Sequence, residues 1–62
     1  MEKPSIPNVF KDPSTKITYV VWAYRKLSDS ELLGAVKLAL SRTRKSRRPK
    51  PGGTFEVYTM ID

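Results

Sequence analysis

The stretch KITYVVWAYRKLSDSELLGAVKLAL, residues 16–40, reads as a strand followed at once by a capped helix. From Ile17 to Tyr24 every residue except Ala23 is β-branched or aromatic, a composition that suits a pleated, packed surface. Alternation sends Ile17, Tyr19, Val21 and Ala23 to one face and Thr18, Val20, Trp22 and Tyr24 to the other. Both faces are largely apolar, so a strand over residues 16–26 is predicted to be covered on both sides.

The apolar spacing changes at Leu27. Ser28 is a good N-cap and Glu31 follows it by three, the spacing of a capping box. Leu27 before the cap and Leu32 at the fourth helical position form the matching hydrophobic staple. Asp29 and Glu31 stand where the helix dipole favours negative charge. On a helical projection Leu32, Leu33, Ala35, Val36, Ala39, Leu40 and Thr43 form one core-facing stripe, with Leu38 outside it. Pro49 disfavours helix just before it, so the helix is predicted to end between Arg44 and Arg47.

Beyond the helix, KPGG at 50–53 suits a type II turn with Pro51 second and Gly52 at the position that needs positive φ. TFEVYTMI at 54–61 then alternates as a second strand. Phe55, Val57, Thr59 and Ile61 share one face, and Glu56, Tyr58 and Met60 share the other. A strand–helix–strand order returns the chain along the first strand, giving a parallel pair with a right-handed crossover. Upstream, residues 1–15 carry Pro4, Pro7 and Pro13 and little periodicity. They read as a Pro-rich arm or a short edge strand through Ile6, Val9 and Phe10, ending in a turn at KDPS. The expected fold is therefore α+β: a small β-α-β unit over residues 16–62, preceded by residues 1–15. One helix covers one sheet face, so the other face is expected to pair with a second copy as a homodimer.

A chain of 62 residues holds one domain and buries only about 60% of its unfolded surface. Such folds usually need a staple. With no Cys and no His, disulfides are excluded and a structural zinc site is not expected. No cofactor is expected either. No apolar run approaches the roughly 20 residues needed to cross a bilayer, and the N-terminus does not read as a signal peptide. A soluble intracellular chain with no membrane contact is the expectation. Without His or Cys, and with Asp29 and Glu31 explained by the helix start, catalysis is not expected.

The charge is uneven. The net charge is +6, and the segment 42–50 holds six cations: Arg42, Arg44, Lys45, Arg47, Arg48 and Lys50. Elsewhere Lys3, Lys11, Lys16, Arg25, Lys26 and Lys37 balance Glu2, Asp12, Asp29, Glu31, Glu56 and Asp62. The whole excess thus belongs to the basic loop region 42–53. Lys and Arg neutralise phosphates and release counterions, and Arg suits bidentate phosphate contact. These six residues are the candidate nucleic-acid contacts, to DNA or RNA. Arg42, Arg44 and Lys45 also serve as complements to the helix dipole, and a Lys/Arg-rich loop favours solubility. RKSRRPKP also resembles a short basic stretch of the kind used for nuclear import. Ser41, Thr43 and Ser46 stand among these cations, where phosphorylation would oppose phosphate binding. Trp22, Tyr24 and Tyr58 are candidate stacking or interface residues. PGG lacks the spacing of a P-loop and is read as a turn. A second functional reading is a protein-interaction module that meets a larger protein through a sheet edge or the Trp22 face, with the basic loop against an acidic patch.

Overall fold

In a computed structural model, which describes residues 2–61, the apolar run of the first quoted stretch forms a central strand, β2, over Thr18–Ala23. The element order is β1 (Ile6–Lys11), β2, α1 (Asp29–Arg42), a 3-10 turn at Lys45–Arg47 and β3 (Thr54–Tyr58). The sheet order is β1-β2-β3. β3 runs parallel to β2, with Thr18 opposite Thr54 and Trp22 opposite Tyr58. β1 runs antiparallel to β2, with Ile6 opposite Ala23 and Lys11 opposite Thr18.

The proline-containing N-terminal segment therefore supplies a third strand, the edge-strand alternative, and the sheet is mixed. Pro7 is tolerated because of parity. Asp12 N donates to Ile17 O at 2.9 Å, so even-numbered residues of β1 face the ladder and Pro7 faces outward, where its missing N–H costs no bond. Asn8 points the other way and is 6% exposed. Its Nδ2 donates to the carbonyls of Ile6, Val21 and Arg25 at 3.2, 3.3 and 3.2 Å. Its Oδ1 accepts from Leu27 N at 2.8 Å. One side chain thereby ties β1 to β2 and to the β2–α1 connection.

The turn before β2 is set by Asp12, whose Oδ1 accepts from Ser14 N at 2.9 Å and Ser14 Oγ at 2.8 Å. Both bonds hold its carboxyl below the usual range, the hydroxyl contributing most. At the other loop Gly52 has φ +82° and Gly53 N donates to Lys50 O at 2.9 Å. This is the type II turn expected of KPGG.

The capping box forms as expected: Glu31 N donates to Ser28 Oγ at 3.4 Å and Ser28 N to Glu31 Oε1 at 3.1 Å. Leu27 and Leu32 are both buried in the core. The helix end differs from expectation. α1 stops at Arg42, and Thr43 is extended with φ −96° and ψ 132°. Side chains take over the terminal carbonyls: Thr43 Oγ1 donates to Ala39 O at 2.7 Å, and Arg48 Nη2 to Leu40 O at 3.2 Å. Capping of this kind satisfies the orphan acceptors of a helix terminus. Arg44 and Lys45 consequently lie outside the helix.

The core is one-sided. Ile17, Tyr19, Val21, Ala23, Leu27, Leu32, Ala35, Val36 and Val57 are buried together, with Phe10, Phe55 and Leu40 packed against them. Phe10 stacks on Tyr19 with ring centroids 6.2 Å apart, and Tyr19 meets Phe55 edge-on at 6.2 Å. This aromatic row crosses all three strands beneath α1. The helical stripe is narrower than predicted: Leu32, Ala35 and Val36 are buried, Ala39 and Leu40 are half-buried, and Leu33 is 40% exposed. A three-stranded sheet is too narrow to cover a wider arc. The expectation that β2 is covered on both faces fails within the chain, because its one long helix lies on the Tyr19–Val21 side. No helix among the described residues is long and apolar enough to cross a membrane.

Candidate nucleic-acid interface

α1 runs back along the sheet and delivers residues 42–50 to the end of the molecule where β2 and β3 begin. Hydrogen bonds fix that placement: Gly52 N donates to Thr15 O at 3.3 Å and Thr18 N to Gly53 O at 2.9 Å. Arg42 occupies the last turn of α1, Lys45 and Arg47 sit in the 3-10 turn, and Arg48 follows it. Arg48 is extended, with φ −69° and ψ 148°, as the residue before a proline tends to be. Lys50 opens the turn into β3. All six cations are exposed.

Arg42, Arg44 and Arg47 line one shallow depression with Thr43. Three arginines border this single concavity with no acidic residue in its lining, which concentrates positive charge there. Arg48 is partly committed elsewhere, because its guanidinium donates to the Leu40 carbonyl. Among the described residues the single salt bridge is Arg25–Glu31, so none of the six cations is neutralised by a carboxylate.

The aromatic residues are placed apart from this cluster. Trp22 and Tyr58 stack with centroids 6.1 Å apart and an interplanar angle of 15°. They lie at the opposite end of β2 from the basic turn, on the sheet face that α1 does not cover. Tyr24 Oη donates to Glu2 O at 3.1 Å and contacts Met60 Sδ at 3.7 Å. Trp22 Nε1 is shielded and has no hydrogen-bond partner among the described residues. Within one chain, then, Arg42 and Tyr58 border one groove between α1 and β3, whereas Trp22 and Tyr24 do not line it.

Sequence reasoning missed two polar features. Arg25 Nη1 and Nη2 grip Glu31 Oε1 and Oε2 at 3.0 and 2.6 Å. Asn8 was missed as well, although a polar residue at an inward position of an apolar alternation is the signal that would have found it. The Arg25 guanidinium, followed by the Ser28 N–H, lowers the Glu31 pKa to about 2. Because the folded pKa lies below the unfolded one, this stabilisation is complete above about pH 4.5 and disappears as pH falls toward 2. Replacing Glu31 by Gln should flatten the acid limb of stability in that window, measured by denaturant unfolding at successive pH values. An unchanged acid limb would show that the pair contributes nothing.

A groove of about 380 Å³ runs between α1 and β3, lined by Ala35, Leu38, Ala39 and Arg42 on one side and Phe55, Glu56, Val57 and Tyr58 on the other. β3 is the sheet edge opposite β1. Its ladder parity, set by Thr18 N to Gly53 O and Thr59 N to Trp22 O, leaves the backbone groups of Thr54, Glu56 and Tyr58 facing outward. Comparison of the chain with protein-family models, with curated proteins and with solved structures finds no match.

Proposed function

We propose that this protein is a small non-catalytic binder of nucleic-acid backbone, DNA or RNA, contacting phosphates through Arg42, Arg44, Lys45, Arg47, Arg48 and Lys50. One observation carries the reading. The entire net charge of +6 is accounted for by a segment whose cations are all exposed and lack carboxylate partners among the described residues. Unpaired cations of one sign concentrate potential at one pole of an otherwise neutral body. Phosphate contacts carry no sequence information directly, so affinity is expected to be largely indifferent to sequence. A homodimer formed through the uncovered sheet face is part of this proposal.

The test is a salt titration of binding to a fluorescent duplex. Contact with three to six phosphates gives a slope of log K against log salt of about −3 to −5. A flat response between low and moderate salt overturns the reading. The same titration on single strands measures any contribution from Tyr58 and Trp22.

The free β3 edge and its adjoining groove support a second reading, a module that accepts an extended segment of a larger protein as an added strand. In that case the basic segment speeds encounter with an acidic partner, and complex formation survives nuclease treatment.

A further inference from the structure

The uncovered face of the sheet has a charge pattern as well as an apolar centre. By register, Pro7, Val9 and Lys11 of β1, Thr18, Val20 and Trp22 of β2, and Thr54, Glu56 and Tyr58 of β3 all project from it. Val9, Tyr58 and the neighbouring Met60 are 63%, 65% and 74% exposed. An apolar patch of this kind on so small a chain marks an interface. Lys11 flanks the patch on β1 and Glu56 flanks it on β3. Both are exposed, and neither has an ion-pair partner among the described residues.

We infer that a second copy of this chain covers this face, related by a two-fold axis parallel to β2, so that Lys11 of each chain meets Glu56 of the other. The charge pattern selects this axis. Face-to-face sheets stack about 10 Å apart with their strands roughly aligned. A two-fold parallel to the strands exchanges the flanks, placing β1 of one copy over β3 of the other, and the opposite charges pair twice. A two-fold perpendicular to the strands places β1 over β1, and the lysine flanks then face each other. Lys11 and Glu56 are two residues apart in level along β2, since they register with Thr18 and Val20. That offset is about 7 Å, which a lysine side chain spans. Two-fold interfaces are self-complementary in this way: each contact occurs twice.

The axis has a consequence for the basic segments. Rotation about a line parallel to β2 preserves strand direction, so both copies of residues 42–50 lie at the same pole of the dimer. One polyanion then meets both segments at once, and binding gains from effective concentration. This consequence rests on the phosphate-binding reading; the dimer, also part of the proposed function, rests on the sheet face, and a monomeric wild type would remove it from both while leaving the phosphate contacts to the salt titration.

Sedimentation equilibrium without nucleic acid tests the dimer. Wild type should dimerise. Lys11→Glu and Glu56→Lys should each weaken dimerisation roughly tenfold, because two attractions become two repulsions. The double exchange Lys11→Glu/Glu56→Lys should restore it to within about threefold of wild type. Both residues are exposed, so circular dichroism should be unchanged throughout. The chain has no Cys, which permits an orientation test by mixing Lys11→Cys and Glu56→Cys chains with a short bifunctional maleimide. Cross-links between the two variants are expected. A monomeric wild type, single exchanges without effect, a double exchange that fails to rescue, or cross-linking confined to Lys11→Cys pairs would each overturn the arrangement. Because these measurements contain no polyanion, their failure is separate from a failure of the salt titration.

Discussion

Replacing Arg42, Arg44 and Arg47 together by Ala should reduce affinity for a duplex oligonucleotide by about two orders of magnitude at 0.1 M salt, and should flatten the salt slope by nearly three. These three arginines line the depression at the end of α1, and none is in a salt bridge among the described residues. All three are exposed, so their removal is expected to leave the fold intact, which circular dichroism checks. Arg48 is excluded from the set because it caps the Leu40 carbonyl, and its loss would mix stability with binding. The control is Lys3→Ala/Lys26→Ala/Lys37→Ala, which removes the same charge from elsewhere on the surface. Anisotropy titrations across salt should show a small loss for the control and a large one for the arginine variant. Equal losses would mean that net charge alone, and not the local segment, drives binding.

The largest stability effect is expected at Asn8. Its Nδ2 faces three carbonyl oxygens at 3.2–3.3 Å. In Asn8→Asp an acceptor oxygen replaces that donor, beside three other acceptors and out of reach of water. Burial and the lost donor both disfavour the carboxylate, so its folded pKa rises above the unfolded value. A chain of this length has about 3–9 kcal/mol in total, and leaving a buried charge unpaired costs about 3–5 kcal/mol, so the variant should lose much or all of its stability at neutral pH. The sign of the pH dependence follows: the charge-dependent part of the destabilisation is absent below the unfolded pKa of about 3.9 and grows as pH rises toward the folded one, on top of a pH-independent loss of amide hydrogen bonds. Asn8→Leu separates charge from hydrogen bonding. It leaves Leu27 N without its acceptor, a cost of about 1–3 kcal/mol that does not vary with pH. Denaturant unfolding at pH 4 and pH 7 distinguishes the two variants. Equal stability of Asn8→Asp at both values would contradict the described role of the amide.

Both expectations depend on features of very different legibility. The cation cluster is written in the order of residues, and its exposure follows from composition. The inward amide of Asn8 depends on β1 pairing with β2, with Asn8 opposite Val21. The N-terminal segment, taken alone, was compatible with either an arm or a strand. The same holds for the aromatic residues. Their alternation placed Trp22 and Tyr24 together on one face of β2, but not on the uncovered one. That depended on which side α1 settled.

By itself the sequence determined the strand–helix–strand order, the Ser28–Glu31 cap, the Gly52 turn and the position of every surplus charge. Each of these is governed by groups within about four residues of one another, where backbone sterics and local hydrogen bonds decide the outcome. The tertiary structure alone decided that β1 completes the sheet and that Arg25 grips Glu31. It also decided that α1 ends at Arg42, that Trp22 lies at the far end of β2 from the basic turn, and that Tyr58 and Arg42 border one groove. Those outcomes join residues distant in sequence through burial and pairing, and a local pattern is compatible with several of them until the chain closes on its core.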